Sequence, residues 1–445
     1  MNKFLIGLVF LALGVRGQEA QVLTLKDAIS YALENKAEAK KAQLDVERSD
    51  YQIQEVRSRA LPQITLNGNL TYNPTIQKSF INAEDFGGPP GQVQELTLGQ
   101  KWSSIGGVAL TQNIFDLAVF TGLRAAKTTR EFYRINAQLT DEQIIESVAN
   151  NYYQVYVLRQ RLTVLDSNYA TTSKIHRIIQ GQFDNGLARR IDLDRMTVRL
   201  SNISTQRQQA LNAVQLQEHS LKFFMGMPID TPIILPKGEF EVTPQLATDK
   251  PDVMARTEYQ LLKTQEKLLQ FNKKAIEAEY YPSLSLSAGF NYIGQGPEFP
   301  WGGRPEDRVF WSNFSAIGLN LRVPVFNGFA TRARVRQADV ELRQLQADLE
   351  DTQLSLDLAF RNAQKQVENS AITIQNQREN VLLAERVLDN TQNNYSQGLA
   401  SLTDLLDAEN ARTEAQNNYT NALLQYKLAE VQLAKSKGEL KTLTN

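Results

Sequence analysis

The sequence predicts a mainly α-helical chain, duplicated in tandem, with two β-hairpins whose strands are long enough to cross a membrane. Three observations carry this: where Gly and Pro occur, how the apolar residues are spaced, and a segment that appears twice. Gly and Pro are absent from 26–60, 123–180, 187–224, 252–281, 329–397 and 399–437, and crowd into 62–107, 226–251 and 282–328. Helix interiors disfavour Gly by about 1 kcal/mol and Pro by about 3, so the empty stretches read as helices. The repeated segment is YSQGLASLTDLLDAEN at 395–410 and FDNGLARRIDLDRMTV at 183–198, with Gly186 and Gly398 lying 212 residues apart.

Taken in order, the start MNKFLIGLVFLALGVRG has a basic Lys3 followed by an apolar run from Phe4 to Leu13. That run is shorter than the ~20 residues a spanning helix needs and has the flanks of a secretory signal peptide over 1–17; a buried N-terminal helix is the competing reading. A first repeat is expected over 18–225: a helix, a hairpin at 61–115, a long helix, a turn near 186 and a second helix. A linker over 226–251 leads into a second repeat over 252–437, with its hairpin at 282–326 and its turn near 398, and a tail over 438–445. Pro62 and Pro282 correspond in the two copies, as do Phe115 and Phe326.

The long stretches 117–185 and 329–397 hold 69 residues each, about 100 Å of helix at 1.5 Å per residue. The shorter ones, stacked two by two, match that length. Val367, Ile374, Val381, Leu388 and Tyr395 recur every seven residues, as do Val148, Val155 and Leu162. This is a narrow coiled-coil-like seam, and the Gln, Asn, Asp and Arg around it imply water on more than one side.

The hairpin regions have a period of two. In LPQITLNGNLTYN, Ile64, Leu66, Leu70 and Tyr72 oppose Gln63, Thr65, Asn67, Asn69 and Thr71. YPSLSLSAGFNYI and SNFSAIGLNLRVPVF alternate in the same way, and SIGGVALTQNIF more weakly. Strands of about ten residues with one apolar and one polar face fit a membrane barrel. Trp102, Trp301 and Trp311, with Phe80, Phe86, Phe299, Phe310 and Phe314, gather at strand ends and in the loops 74–103 and 294–307. An interfacial girdle would have this pattern, and so would soluble hairpins packing aromatics on a helix. Four strands cannot close a barrel, since known ones use at least about eight, and open edges are not tolerated in lipid. A cyclic oligomer resolves this, with the polar strand faces lining a lumen.

Composition excludes several functions. With 48 basic and 49 acidic residues the formal charge is −1, so no nucleic-acid partner is expected. There is no cysteine, which removes disulfides, thiolate metal sites and cysteine nucleophiles. His176 and His219 have no partner at metal-ligand spacing, and the five methionines are scattered. No phosphate loop or serine elbow occurs. We expect no enzyme, no cofactor and no metal.

The helix–Pro–strand junctions RALPQITLNGNL and EYYPSLSLSAGF, the segment YSQGLASLTDLLDA and the opening LTLKDAISYALENKAEAKKAQLDVERSDYQI resemble TolC-type outer membrane efflux proteins. Lys36 stands where many members have Pro. The resemblance covers the mature chain. It implies a homotrimer with a twelve-strand barrel in the outer membrane lipid and a periplasmic α-helical barrel. It also implies docking of the far tip onto a periplasmic adaptor (membrane fusion) protein and an inner-membrane pump of RND or ABC type. The chain would then be a passive exit duct for efflux or secretion. The alternative is a non-channel periplasmic helical scaffold.

The repeated segment supplies the candidate site. A Gly that closes one helix, followed by an apolar contact, starts a tight turn to the next. The turns Gly186–Leu187–Ala188 and Gly398–Leu399–Ala400 resemble the family's adaptor-docking tips. Asp404 and Asp407, three apart, share a helical face, and a trimer would stack them as two carboxylate rings that select cations. By resemblance these are constriction aspartates, and Asp192 with Tyr395 are gate-bonding residues. On spacing alone, solvated acids near a helix N-terminus are the better account of the two aspartates; the family resemblance turns the balance toward the rings. Gate-linking members carry Arg where this chain has Ala400; Arg189 or Arg190 of the other tip is the candidate substitute. Arg332, Arg334 and Arg336 form a basic row below the second hairpin, read as a solvated face or a belt near the membrane boundary.

Overall fold

The computed structural model describes residues 22–97, 99–236, 251–301 and 308–444. The expected signal segment 1–17, residues 237–250 of the expected linker and residues 302–307 of the loop 294–307 lie outside the described residues. The chain divides into two compact units.

One unit comprises the chain up to Asp45, Arg134–Leu261 and Leu349–Asn445. It holds helix α1 (Leu25–Asn35), the start of α2 (Ala37–Ser58), most of α3 (Leu117–Asp184), α4 (Arg190–Met225), the first residues of α5 (Thr257–Glu277), most of α6 (Ala330–Ser396), and α7 (Leu402–Lys437). α3 and α6 run unbroken, and Gly122 and Gly181 are helical. The heptad positions Val148, Val155, Val367, Ile374 and Leu388 are buried, as the narrow seam requires. The largest core joins Ala28, Ile29 and Ala32 of α1 to Ile145, Val148 and Tyr152 of α3, Leu221 and Met225 of α4, and Leu423 and Val431 of α7.

The expected helix over 26–60 is in fact two, and no Gly or Pro divides them. Thr24 and Asp27 cap α1 reciprocally, and the helix ends at Lys36, whose backbone is extended. The Lys36 ammonium donates to the Phe223 carbonyl at 2.9 Å and lies 3.9 Å over the Phe223 ring. Gly226, left-handed at the end of α4, lies so close that a Cβ would meet the Asn35 and Lys36 backbone at 3.0 Å. Docking of α1 on α4, not local sequence, breaks the helix.

The other unit comprises Val46–Tyr133 and Leu262–Asp348. Its sheet has four antiparallel strands in the order β1 (Gln63–Tyr72), β4 (Trp102–Phe115), β5 (Ser283–Gly296), β6 (Phe310–Arg322). The register assembles two unlike faces. Ile64, Leu110, Ala288 and Ile317 make one row of the apolar face; Thr65, Ala109, Gly289 and Ala316 make the adjacent row of the other. Gln63, Thr111, Ser287 and Gly318 extend that second, largely polar face. There Gly107 leaves room for the Asn291 amide, which any Cβ would overlap.

Aromatics gather at both ends of the sheet. Tyr72, Trp102 and Phe299 form a chain of ring contacts at 4.6 and 5.3 Å, and Tyr292 stacks on Trp311 at 5.0 Å. At the helical end Phe115 meets Phe120 at 6.1 Å and Phe326 meets Phe329 at 5.4 Å. A second small sheet, β2 (Lys78–Asn82) with β3 (Val93–Thr97), occupies the first hairpin's connection, which was expected to be a loop. β1 and β6 are the sheet's two edges, each pairing on one side only among the described residues.

Candidate functional site

The two repeated segments fold into the same turn. α3 ends so that the Gly186 N–H donates to the Phe183 carbonyl at 2.9 Å and the Leu187 N–H to the Gln182 carbonyl at 2.8 Å. In the second copy Gly398 donates to Tyr395 at 3.0 Å and Leu399 to Asn394 at 2.8 Å. Both glycines are left-handed, with φ of +72° and +76°, so each helix closes in a Schellman motif. Leu187 and Leu399 project from the turns, 80% and 75% exposed, while Ala188 and Ala400 are half-buried.

Behind the turns the ends of four helices converge on one apolar cluster. Ile179 of α3, Leu193 and Met196 of α4, Leu388 of α6, and Leu402, Leu405 and Ala408 of α7 are buried in it, with Phe183, Ala188 and Tyr395 packed alongside. The Arg195 guanidinium donates to the Thr403 hydroxyl at 3.2 Å, tying α4 to α7. The turns separated by about half the chain are therefore neighbours.

Asp192 and Asp404 occupy the same position, six residues beyond their glycines, and are used differently. The Ser401 backbone N–H and hydroxyl donate to the Asp404 carboxylate at 2.8 and 2.7 Å, and the Asp404 N–H donates back to the hydroxyl at 3.1 Å. This capping box starts α7, and the Ser401 bonds hold the Asp404 carboxyl below its ordinary value. In the first copy Arg189 stands at the cap position and offers no cap. Its guanidinium instead pairs with Asp192 at 3.0 Å, and Arg190 pairs with Asp194 at 3.0 Å. Both arginines considered as substitutes at Ala400 are thus engaged within their own tip.

Tyr395 is half-buried, and both that burial and the charge of Asp192 push its phenol upward. The structure therefore brings Asp192 and Tyr395, from different repeats, into one electrostatic environment. Asp404 and Asp407 are both exposed on α7, outside the apolar cluster.

Sequence reasoning missed a polar layer one to two turns behind the tip. Glu409 of α7 is only 6% exposed. Burial raises its carboxyl above the ordinary value, and Arg199 and Arg412 oppose that rise. Arg412 donates to the Asn168 side-chain oxygen Oδ1, and the Asn168 side-chain amide donates to the Thr413 hydroxyl at 3.1 Å. These side chains surround a small cavity with Thr171 and Thr172. Nothing in a polar heptad marks one Glu as the buried one. Ser401, by contrast, was legible as a hydroxyl three residues before an acid.

No group of three or more metal-ligating side chains occurs among the described residues, and no described helix is long and apolar enough to cross a membrane.

Comparison with known proteins agrees with this architecture. The outer membrane efflux protein family profile matches residues 28–227 and 265–439. Outer membrane efflux protein BepC of Brucella suis is 22% identical over 401 residues, covering 88% of this chain and 80% of its own. Outer membrane protein TolC of Vibrio cholerae is 21% identical over 445 residues, covering 99% and 96%. Among solved structures, the Campylobacter jejuni CmeC outer membrane channel aligns with a TM-score of 0.73 at 17% identity, over 93% of this chain and 85% of that one. With its paired turns, long helices and four-stranded sheet, this chain belongs to the outer membrane efflux protein family.

Proposed function

We propose that three copies of this chain form a passive exit duct, through which cargo passes from a periplasmic adaptor and an inner-membrane pump of RND or ABC type to the outside. One observation carries the reading. A sheet with an apolar face, a largely polar face and aromatic bands at both ends has two unpaired edges and leads directly into helices of 68 and 67 residues. Such a sheet is stable in lipid only when closed on itself. Three copies supply twelve strands, their apolar faces on lipid and their polar faces on water.

The residues of the tip fit the closing end of such a duct. The rows of Asp404 and Asp407 stack as carboxylate rings where α7 begins, and a ring of fixed negative charge in a narrow pore favours cations. Behind them Tyr395 packs on the apolar cluster and feels the charge of Asp192, which Arg189 pairs within its own tip. Leu187 and Leu399, exposed at the turns, offer the adaptor its apolar contact. The capping bonds of Asp404 do not compete with the ring, since they keep the carboxyl ionised.

The test is single-channel conductance of the detergent-extracted protein in a planar bilayer, beside Asp404→Ala/Asp407→Ala. A small cation-selective conductance that loses its selectivity in the variant is expected. An unchanged channel would remove the aspartates from the constriction. Protein that never enters the bilayer would remove the duct.

A further inference from the structure

The sheet unit leaves two helix faces uncovered, and their chemistry is complementary. Within this unit α2 turns Ser49 and Val56 inward and pairs Asp50 with Arg130 of α3 at 3.0 Å. Glu47, Tyr51 and Glu55 fall on the opposite side, spaced i, i+4, i+8, all exposed, with Tyr51 at 60%. Tyr51 donates to Glu47 at 3.3 Å, and Glu55 pairs loosely along the helix with the exposed Arg59 at 3.7 Å. α6 buries Thr331, Ala338 and Leu345, binds α5 through Asp339–Lys273 and binds the turn after α5 through Arg334–Glu279. Its opposite side carries Arg336, Val340 and Arg343, spaced i, i+4, i+7, with Val340 44% exposed. Arg336 makes no hydrogen bond or ion pair with a described residue, and a shallow hollow on this face is lined by Phe329, Arg332, Ala333 and Arg336.

Connectivity gives these faces an occupant. α2 runs into β1, one edge of the sheet, and α6 leaves β6, the other edge. In a closed ring the β1 edge of one copy meets the β6 edge of the next, so their helices meet as well, running in opposite directions. Residues three and four apart share a helix face, so one face read upward against the other read downward sets Glu–Tyr–Glu opposite Arg–Val–Arg. Two α2 faces, or two α6 faces, would oppose like charges. The charge pattern thus favours the head-to-tail contact that closes a ring over a twofold contact.

We infer that a second copy of this chain docks here, with Glu55, Tyr51 and Glu47 of α2 facing Arg336, Val340 and Arg343 of the next copy's α6. The inference rests on the ring reading above and adds the faces, register and charges that select the neighbour.

The chain's lack of cysteine makes the test direct. Tyr51→Cys/Val340→Cys, oxidised mildly in membranes, is expected to give interchain disulfides running to a covalent trimer. Either single variant is expected to stay uncrosslinked, since each cysteine would then face a residue that cannot bond it. Glu55→Arg alone, or Arg336→Glu alone, should lower the trimer yield several-fold, and the two together should restore it. Native mass separates the two ideas. A trimer that gives no 51–340 disulfide and no charge-swap rescue overturns this interface and leaves the ring. A monomer overturns both.

Discussion

At the scale of single residues, Asp404 has two roles. It closes the capping box that starts α7, and in the proposed duct it supplies pore charge. The Ser401 bonds hold its folded value below the ordinary 3.8. A depressed carboxyl stabilises the folded state at pH above the unfolded value, and that contribution is lost as pH falls through the folded one. Removing the hydroxyl in Ser401→Ala takes away the largest cause of the depression, so Asp404 should be neutralised at higher pH. Reversal potentials in a salt gradient, followed between about pH 5 and pH 3, should therefore lose cation preference at higher pH in Ser401→Ala than in the wild type. Superimposed curves would show that Asp404 only caps a helix. The three-residue spacing of Asp404 and Asp407 was visible in the sequence. That Arg189 stands where Ser401 does was visible too, but that Asp192 turns to its guanidinium comes only from the structure.

At the scale of elements, Gly and Pro located about half of the helix limits within two residues, because helix interiors disfavour both by local energy, while α3 tolerates Gly122 and Gly181. α3 and α6 end where the next glycine allows. The break at Lys36 was invisible because a tertiary contact causes it, and β2–β3 was hidden in a Gly- and Pro-rich stretch that reads as loop. The Glu409 layer was equally hidden, and it has a measurable consequence. Burial raises the Glu409 carboxyl above its ordinary 4.5, with Arg199 and Arg412 pulling the other way. A raised carboxyl leaves the folded state fully stable below the unfolded value and weakens it as pH rises through the folded one. Glu409→Gln cannot ionise, so its thermal midpoint in detergent should change less than the wild type's from pH 4.5 up to about 7. An equal slope in both proteins would mean that Arg199 and Arg412 fully compensate the buried charge.

At the scale of the whole molecule, the duct reading depends on which side of the sheet meets lipid. The alternation of strands was legible because its period is two, and the count of four strands already required more than one copy. The pairing of β4 with β5, which makes one sheet from two hairpins, comes only from the structure. Ile317 and Ala316 are chain neighbours on opposite faces of the edge strand β6. A lipid-facing Arg near the bilayer midplane costs about 2–4 kcal/mol, whereas lumen positions tolerate charge. Ile317→Arg should therefore deplete the protein from the outer membrane, with the penalty incurred once per copy. Ala316→Arg should insert normally, lower the conductance and shift selectivity toward anions. Membrane fractionation read with bilayer recording decides the matter. If Ala316→Arg blocks insertion while Ile317→Arg conducts, the faces are reversed and the polar rows cannot line the path. If both variants stay soluble in the periplasm, as the wild type would then also do, hairpins packed in water replace the duct. The expected pair of outcomes requires the sheet to be closed in lipid around water, which one chain of four strands cannot do alone.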